Sequence, residues 1–178
     1  MSESFAKFLA AVSEGKAEND RPVTVVEIAQ VEDPEILRSR VARRLLVRYG
    51  WSEWPDVEMP DVQRCWLAVD FLEEEWLNGG LAQFVVNAGE SVERIIAWAV
   101  RGYDMLGNHL MADVARSILS IVESERTVRG ELKSLAETKD QLAAYLIRTK
   151  VTAFDNDMSD SGPALADYVR NYPEQFVG

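Results

Sequence analysis

Residues 61–89 read DVQRCWLAVDFLEEEWLNGGLAQFVVNAG, and this stretch decides the fold. It begins as a strongly apolar helix, breaks at the Asn-Gly-Gly of residues 78–80, and resumes as a short amphipathic helix over residues 81–87. At about 100° per residue, the first helix is apolar on two nearly opposite sides, and such a helix is usually central in its domain. One side carries Val62, Cys65, Trp66, Val69, Leu72 and Trp76, and the other carries Leu67 and Phe71. We therefore predict a central helix over residues 61–77, with Asp61 as its N-cap.

The size and composition of the chain are those of a globular domain. A length of 178 residues fits one domain, since domains hold roughly 100–200 residues. No apolar run approaches the roughly 20 residues of a membrane span, and the N-terminus has no long apolar segment typical of a signal peptide. The single cysteine, Cys65, excludes an intrachain disulfide framework. We expect one domain over residues 1–178 in the cytoplasm of a bacterial cell, without membrane contact.

The charge of the chain is negative and unevenly distributed. The net charge of −11 argues against direct nucleic-acid binding, which needs lysine and arginine to displace counterions. Residues 51–100 carry 10 acids and only 2 bases, and residues 151–178 carry 5 acids and 1 base. One predicted helix face carries a line of arginines, Arg40, Arg44 and Arg48. This face is solvated or paired with acids of the 51–75 segment; a phosphate site is the other alternative. Acidity alone is also explained by solubility.

Helices are predicted on the N-terminal side of the central stretch. Apolar residues at helical spacing indicate a first helix over residues 5–12. Residues 23–31 contain β-branched residues that suit a strand, but no partner strand is evident, which favours a short helix capped by Thr24. An Asp-Pro pair at residues 33–34 is a strong helix start, and that helix should run to about Tyr49.

Further helices are predicted on the C-terminal side, which makes the chain all-α. The predicted starts are Ser91, Asn108, Thr127, Thr138 and Pro163. The resulting fold is a single-domain bundle of about seven to nine helices around the central helix. Residues 51–60 form a loop with two tryptophans, Trp51 and Trp54, which either cover the core edge or serve as an exposed interface anchor; core cover is favoured.

The sequence contains no pattern typical of catalysis or of metal binding. His109 is the only histidine and has no second ligand nearby, and Cys65 lies on the apolar face of the central helix. The three acids of residues 73–75 point in different directions, although Glu73 projects toward the apolar side and is either near water at a helix end or a partnered buried acid. Residues 155–160 resemble a calcium loop but lack its spacing and closing glutamate. We therefore expect no metal, no cofactor and no enzymatic activity.

The segment around the helix break resembles a family signature. The signature is a Glu, two variable residues, Asn-Gly-Gly, an aromatic residue, and then Gln and Asn at fixed offsets. The matching residues are Glu75, Asn78, Gly79, Gly80, Gln83, Phe84 and Asn87, whereas Leu81 stands where the pattern has an aromatic residue. The chain thereby resembles a bacterial DNA-mimic protein family, long filed as a domain of unknown function. The resemblance covers about residues 62–176 and leaves residues 1–60 as an N-terminal helical extension.

The resemblance implies an all-helical fold and a surface that imitates duplex DNA. Members of that family present carboxylates to the DNA site of a transcription regulator. Duplex DNA carries one charge per ~1.7 Å of axis, and carboxylates at i, i+4 on a helix lie ~6 Å apart, near the spacing of neighbouring phosphates. The candidate row is Asp56, Glu58, Asp61, Asp70 and Glu74. The signature residues themselves are expected to determine the fold.

Three other functions fit an acidic helical chain. An immunity-type module that neutralises a basic toxin is the main alternative to a DNA mimic. An enzyme using the carboxylates of residues 73–75 needs a pocket that holds two acids with perturbed pKa values. A purely structural protein completes the set. For the favoured function we expect a basic protein partner, no direct nucleic-acid contact, and a chain that acts alone or as a homodimer.

Overall fold

The computed structural model describes residues 24–51, 53–130, 152–155 and 157–177. These residues form six α-helices, numbered in chain order: α1 Val25–Gln30, α2 Pro34–Tyr49, α3 Asp61–Ala88, α4 Val92–Met105, α5 His109–Gly130 and α6 Gly162–Asn171. Short 3-10 helices lie at Gly89–Ser91, Thr152–Phe154 and Pro173–Gln175. The described part of the chain contains no strand, so the prediction of an all-α fold is confirmed.

The number of helices is lower than predicted for the whole chain. Seven to nine were predicted, and the described ranges contain six α-helices. Two of the predicted helices, over residues 5–12 and from Thr138, lie outside the described residues. The predicted helix start at Thr127 is wrong, because α5 continues through this residue to Gly130 without a break.

The first two helices begin at the predicted caps. The Thr24 hydroxyl accepts a hydrogen bond from the Glu27 N–H at 3.2 Å, and the Glu27 carboxylate accepts one from the Thr24 N–H at 2.8 Å. This reciprocal pair is a capping box, so the ambiguous segment is a helix. Asp33 accepts from two backbone N–H groups at the start of α2, and α2 ends at Gly50, whose φ is +87°.

Helix α3 lies at the centre of the fold, as its two apolar sides predict. Trp66, Leu67 and Leu72 are each at most 1% exposed. Helix α4 packs against α3 on one side and against α5 on the other, and α6 packs mainly against α2. The predicted capping role of Asp61 is wrong: Pro60 occupies the N-cap position, and Asp61 makes no capping hydrogen bond.

The approach of α4 to α3 depends on a glycine in α4. A Cβ atom added at Gly102 would lie 2.5 Å from the carbonyl oxygen of Cys65 and 2.6 Å from the side chain of Val69. Because the first of these atoms belongs to the backbone of a buried helix, it has little freedom to move. Glycine at this position therefore sets how closely the two helices pack.

The loop before α3 closes one edge of the core with a tryptophan. Trp54 is 2% exposed, and its ring lies 6.0 Å from the rings of both Phe71 and Trp98. Core cover is thereby confirmed for Trp54, while Trp51 is half-buried. No helix in the described ranges is long and apolar enough to cross a lipid bilayer.

Two predicted caps after α3 have different outcomes. Asn108 caps α5, because its side-chain oxygen accepts a hydrogen bond from the Met111 N–H at 3.2 Å. Ser91 stands at the N-cap position of α4, but its hydroxyl makes no capping bond and accepts from Arg94 at 2.9 Å. Helix α6 carries its proline in the first turn and ends before Tyr172, as predicted.

Candidate functional site: the helix break and the acidic face beside it

The break in α3 falls on the predicted glycine pair. The backbone is non-helical at Gly79 and Gly80, and the φ of Gly80 is +77°, a region that side chains other than glycine rarely adopt. The helix resumes at Leu81, which is completely buried, as is Phe84 one turn later. Residues 81–88 are therefore a second, differently directed helical segment anchored in the same core.

One carboxylate joins the two sides of this break. The Oε2 atom of Glu75 accepts a hydrogen bond from the Gln83 amide at 3.0 Å and another from the Asn87 amide at 2.6 Å. Glu75 lies before the break, whereas Gln83 and Asn87 are i, i+4 neighbours after it. Three residues of the signature thus form a single unit, the Glu75 clamp, that fixes the angle between the two helical segments.

The second segment is capped by a residue far away in the sequence. Asp155 accepts a hydrogen bond from the Leu81 N–H at 2.9 Å. A Cβ atom at Gly80 would lie 3.1 Å from the same carboxylate, so the absent side chain leaves room for this cap. In the sequence, Asp155 stands out only as part of the calcium-like cluster of residues 155–160. Its separation of 74 residues from Leu81 left no local signal of its real role.

The first part of the predicted acidic row is exposed but largely paired with arginines. Asp56 lies 2.6 Å from Arg94, and Asp61 lies 2.7 Å from Arg101. Glu58 is exposed, and within the described residues it makes neither a hydrogen bond nor an ion pair. The loop before α3 and the start of α3 therefore present three carboxylates on the surface, two of which face arginines of α4.

The second part of the row does not form an exposed line. Asp70 is only 6% exposed, and its carboxylate lies 2.6 Å from the Nε atom of Arg38 on α2. The prediction that Asp70 is a surface residue is therefore wrong, because α2 covers it. Burial raises the pKa of Asp70 to about 6, and the charge of Arg38 limits that rise. Glu74 is half-exposed and lies 2.9 Å from the same guanidinium.

Sequence reasoning missed Arg38, although a signal for it was present. Arg38 is 2% exposed and lies between Leu37 and Val41 on the buried face of α2. A charged residue within an apolar stripe at helical spacing needs a buried partner, and that pattern was readable. The predicted line of Arg40, Arg44 and Arg48 lies on the outer side of α2, where Arg40 and Arg48 are exposed.

Glu73 was predicted to be either near water at a helix end or a buried acid with a partner, and it is the second. Its side chain is fully buried, and its Oε2 atom accepts a hydrogen bond from the Ser161 N–H at 3.1 Å. Burial raises the pKa of Glu73 to about 7, and the hydrogen bond from Ser161 and the charge of Arg38 oppose the rise. Glu73 therefore lies inside the fold and is absent from the acidic face.

The described residues contain no group of three or more metal-binding side chains. The side chain of His109 is 78% exposed and lies 3.5 Å from Asp104. Cys65 is buried, and that burial raises the pKa of its thiol, which makes it less reactive. Chemically, the site consists of carboxylates that accept hydrogen bonds and attract cations.

The part of the chain that holds the helix break matches a known protein family. The profile of the DMP19-like protein family matches residues 57–172. The chain belongs to the DMP19-like protein family. The match extends from the loop before α3 past the end of α6, and so includes the helix break and the Glu75 clamp. It leaves out α1 and α2, which lie within the predicted N-terminal extension of residues 1–60. No curated protein and no solved structure matches the chain significantly.

Proposed function

We propose that this chain is an acidic, non-catalytic protein-binding domain that imitates DNA and occupies the DNA site of a basic regulator. Membership in the DMP19-like family is the observation that carries the proposal. The net charge of −11 supports it, because a DNA-binding protein presents lysines and arginines that such a charge attracts. The protein acts alone or as a homodimer, without a cofactor.

The exposed carboxylates before and within α3 are the proposed contact surface. It comprises Asp56, Glu58, Asp61 and Glu74, while Asp70 is buried and takes no part. Exposed ion pairs contribute only about 0–1 kcal/mol, so arginines of a partner can replace those of this chain at little cost. The side chains of Asp56 and Asp61 are 63% and 60% exposed, which leaves their oxygens accessible.

The test is competition with DNA for purified bacterial regulators. A labelled operator duplex is bound to each regulator, and the chain is added while fluorescence anisotropy reports release of the DNA. We expect the wild-type chain to release the DNA. We also expect the directly measured affinity of the chain for the regulator to fall as salt rises, because salt screens the attraction between carboxylates and basic residues. A variant carrying Asp56→Asn, Glu58→Gln and Asp61→Asn should release at least tenfold less.

The matched control removes three exposed carboxylates outside the proposed surface, so that both variants lose the same charge. Asp104→Asn, Asp113→Asn and Asp167→Asn change side chains that are 41%, 74% and 66% exposed. This control should compete like the wild type. Equal losses for the two variants, or an affinity of the chain for the regulator that does not respond to salt, would contradict a DNA-like surface at the start of α3.

An immunity-type module that neutralises a basic toxin is the alternative, and one observation favours it. Two carboxylates of the surface already face Arg94 and Arg101, so the surface carries charges of both signs, unlike a DNA backbone. A protein partner with mixed charges suits that pattern. Tight binding to a basic nuclease or other toxin, with no competition against regulator-bound DNA, would select this alternative.

A further inference from the structure

A fully buried glutamate links the middle of α3 to the start of α6. The Oε2 atom of Glu73 accepts the hydrogen bond from the Ser161 N–H at 3.1 Å, but its Oε1 atom has no hydrogen-bond partner among the described residues. The hydroxyl of Tyr103, also fully buried, has none either, and it lies close enough to affect the ionisation of Glu73. The hydroxyls of Ser161 and Tyr103 also favour the ionised carboxylate, but these donors do not offset the cost of burying its charge.

The charged groups around Glu73 do not neutralise it. Helix α2 supplies Arg38, but that guanidinium forms its ion pairs with Asp70 at 2.6 Å and Glu74 at 2.9 Å, both on α3. Helix α4 supplies the phenol of Tyr103, and the start of α6 supplies the backbone N–H and the hydroxyl of Ser161. Two carboxylates lie close to Gly162 at the same helix start: Asp160, which accepts from the Gly162 N–H, and Glu35 of α2. Helix α5 supplies no charged group to the site, since its His109 is exposed beside Asp104.

We propose that Glu73 is a proton-dependent latch that holds the start of α6 against α3. With its proton, the neutral carboxyl fits the buried site and accepts the hydrogen bond from the Ser161 N–H. When the proton leaves to solvent, the remaining charge favours an open arrangement in which water reaches the carboxylate. This inference stands on the buried geometry and does not depend on the identity of any partner.

The opening is local, because other contacts hold the remainder of α6 and the C-terminus. The Trp66 indole donates a hydrogen bond to the Leu165 carbonyl at 3.1 Å, and its ring packs against Phe176. The Gln63 amide donates to the Gln175 carbonyl. These contacts contain no group that titrates near neutral pH, so we expect the region around Ser161 to respond to pH and the C-terminal end to stay attached.

The direction of the effect follows from the two states of Glu73. Buried Glu73 keeps its proton up to a pKa of about 7, whereas an ordinary glutamate loses it near 4.5. The closed state therefore binds more protons between these values, and opening becomes more favourable as pH rises through this window. Linkage gives roughly a tenfold increase in the opening constant per pH unit, or about 40-fold from pH 5 to pH 7, with a plateau above about pH 7.

Hydrogen exchange of the Ser161 amide measures this opening directly. Exchange rates, corrected for the intrinsic pH dependence of amide exchange, are compared for the wild type and for Glu73→Gln across pH 5 to 8. We expect the wild-type opening constant to rise about 40-fold from pH 5 to pH 7. Glu73→Gln, which imitates the protonated form, should show no rise. The control Asp113→Asn removes an exposed acid of α5 that pairs with Arg116, and it should rise like the wild type.

Two results would overturn the latch: a flat wild-type profile, or the same rise in Glu73→Gln as in the wild type. If Glu73→Gln does not fold, the wild-type chain still decides the question. The ¹³C shift of the Glu73 side-chain carboxyl is followed by NMR from pH 3 to 9. A midpoint near pH 7 supports the latch, and a midpoint near 4.5 refutes it.

Discussion

Replacing Glu75 by alanine tests whether Glu75, Gln83 and Asn87 act as one structural unit. The Oε2 atom of Glu75 accepts hydrogen bonds from Gln83 and Asn87, which lie on the other side of the break in α3. Glu75→Ala removes both bonds and leaves the backbone between the two segments held only by core packing and by the cap from Asp155. We expect the folded state to lose stability without losing its helices.

The size of the loss follows from the exposure of the three side chains. A hydrogen bond to a charged group contributes about 1.5–3 kcal/mol when buried. Glu75 and Gln83 are half-buried and Asn87 is exposed, so water replaces part of each bond. We take about 1 kcal/mol per bond, which gives a total loss of about 2 kcal/mol for Glu75→Ala. For a chain of this size, that loss corresponds to a decrease in Tm of roughly 4–8 °C.

Urea unfolding followed by circular dichroism gives the free energy, and a double-mutant cycle isolates the clamp. Glu75→Ala, Gln83→Ala and the double variant should show a coupling energy of at least about 0.5 kcal/mol. The control is Glu58→Ala, an exposed acid without a partner among the described residues, which should change stability by less than about 0.5 kcal/mol. If the Glu75 and Gln83 effects simply add, or if Glu75→Ala behaves like Glu58→Ala, the clamp does not hold the break.

Three further substitutions test other contacts. Gly102→Ala places a Cβ against the Cys65 carbonyl and should cost about 1–3 kcal/mol in chemical unfolding. Arg38→Met leaves the Asp70 carboxylate buried without its partner and should cost about 3–5 kcal/mol, while Arg38→Met with Asp70→Leu should recover most of that loss in the same assay. Asp155→Ala removes the cap of the segment after the break and should lower the unfolding free energy by about 1 kcal/mol, with or without added calcium.

Features set by neighbouring residues were predictable from the sequence. The break at residues 78–80, the Thr24 and Asn108 caps and the start of α2 each depend on side chains within a few positions of the backbone they affect. Asp61 and Ser91, which make no capping hydrogen bond, and Thr127 are exceptions, and Thr127 shows the limit of this reasoning. A residue that favours caps does not end a helix unless the surrounding backbone turns, and α5 continues through it.

The identity of partners distant in sequence was not predictable. The position of Arg38 in an apolar stripe of α2 indicates a buried partner, but that partner, Asp70, is 32 positions away. Asp155 is 74 positions from Leu81, and no local pattern connects them. The i, i+4 spacing of Asp70 and Glu74 correctly placed both on one polar edge of α3. It did not reveal that α2 covers half of this edge, which buries one acid and leaves the other half-exposed.

The ion pairs of Arg38 with Asp70 and Glu74 also determine where the free carboxylates of this chain lie. The family match begins at residue 57, so Arg38 lies in the part of the chain outside it. Arg38 nevertheless neutralises Asp70 and contacts Glu74, and the N-terminal helices thereby remove charge from the middle of α3. The carboxylates that remain for a basic partner are concentrated before and at the start of α3. The DNA-like surface that we propose is therefore centred there, at the opposite end of the first segment of α3 from the helix break.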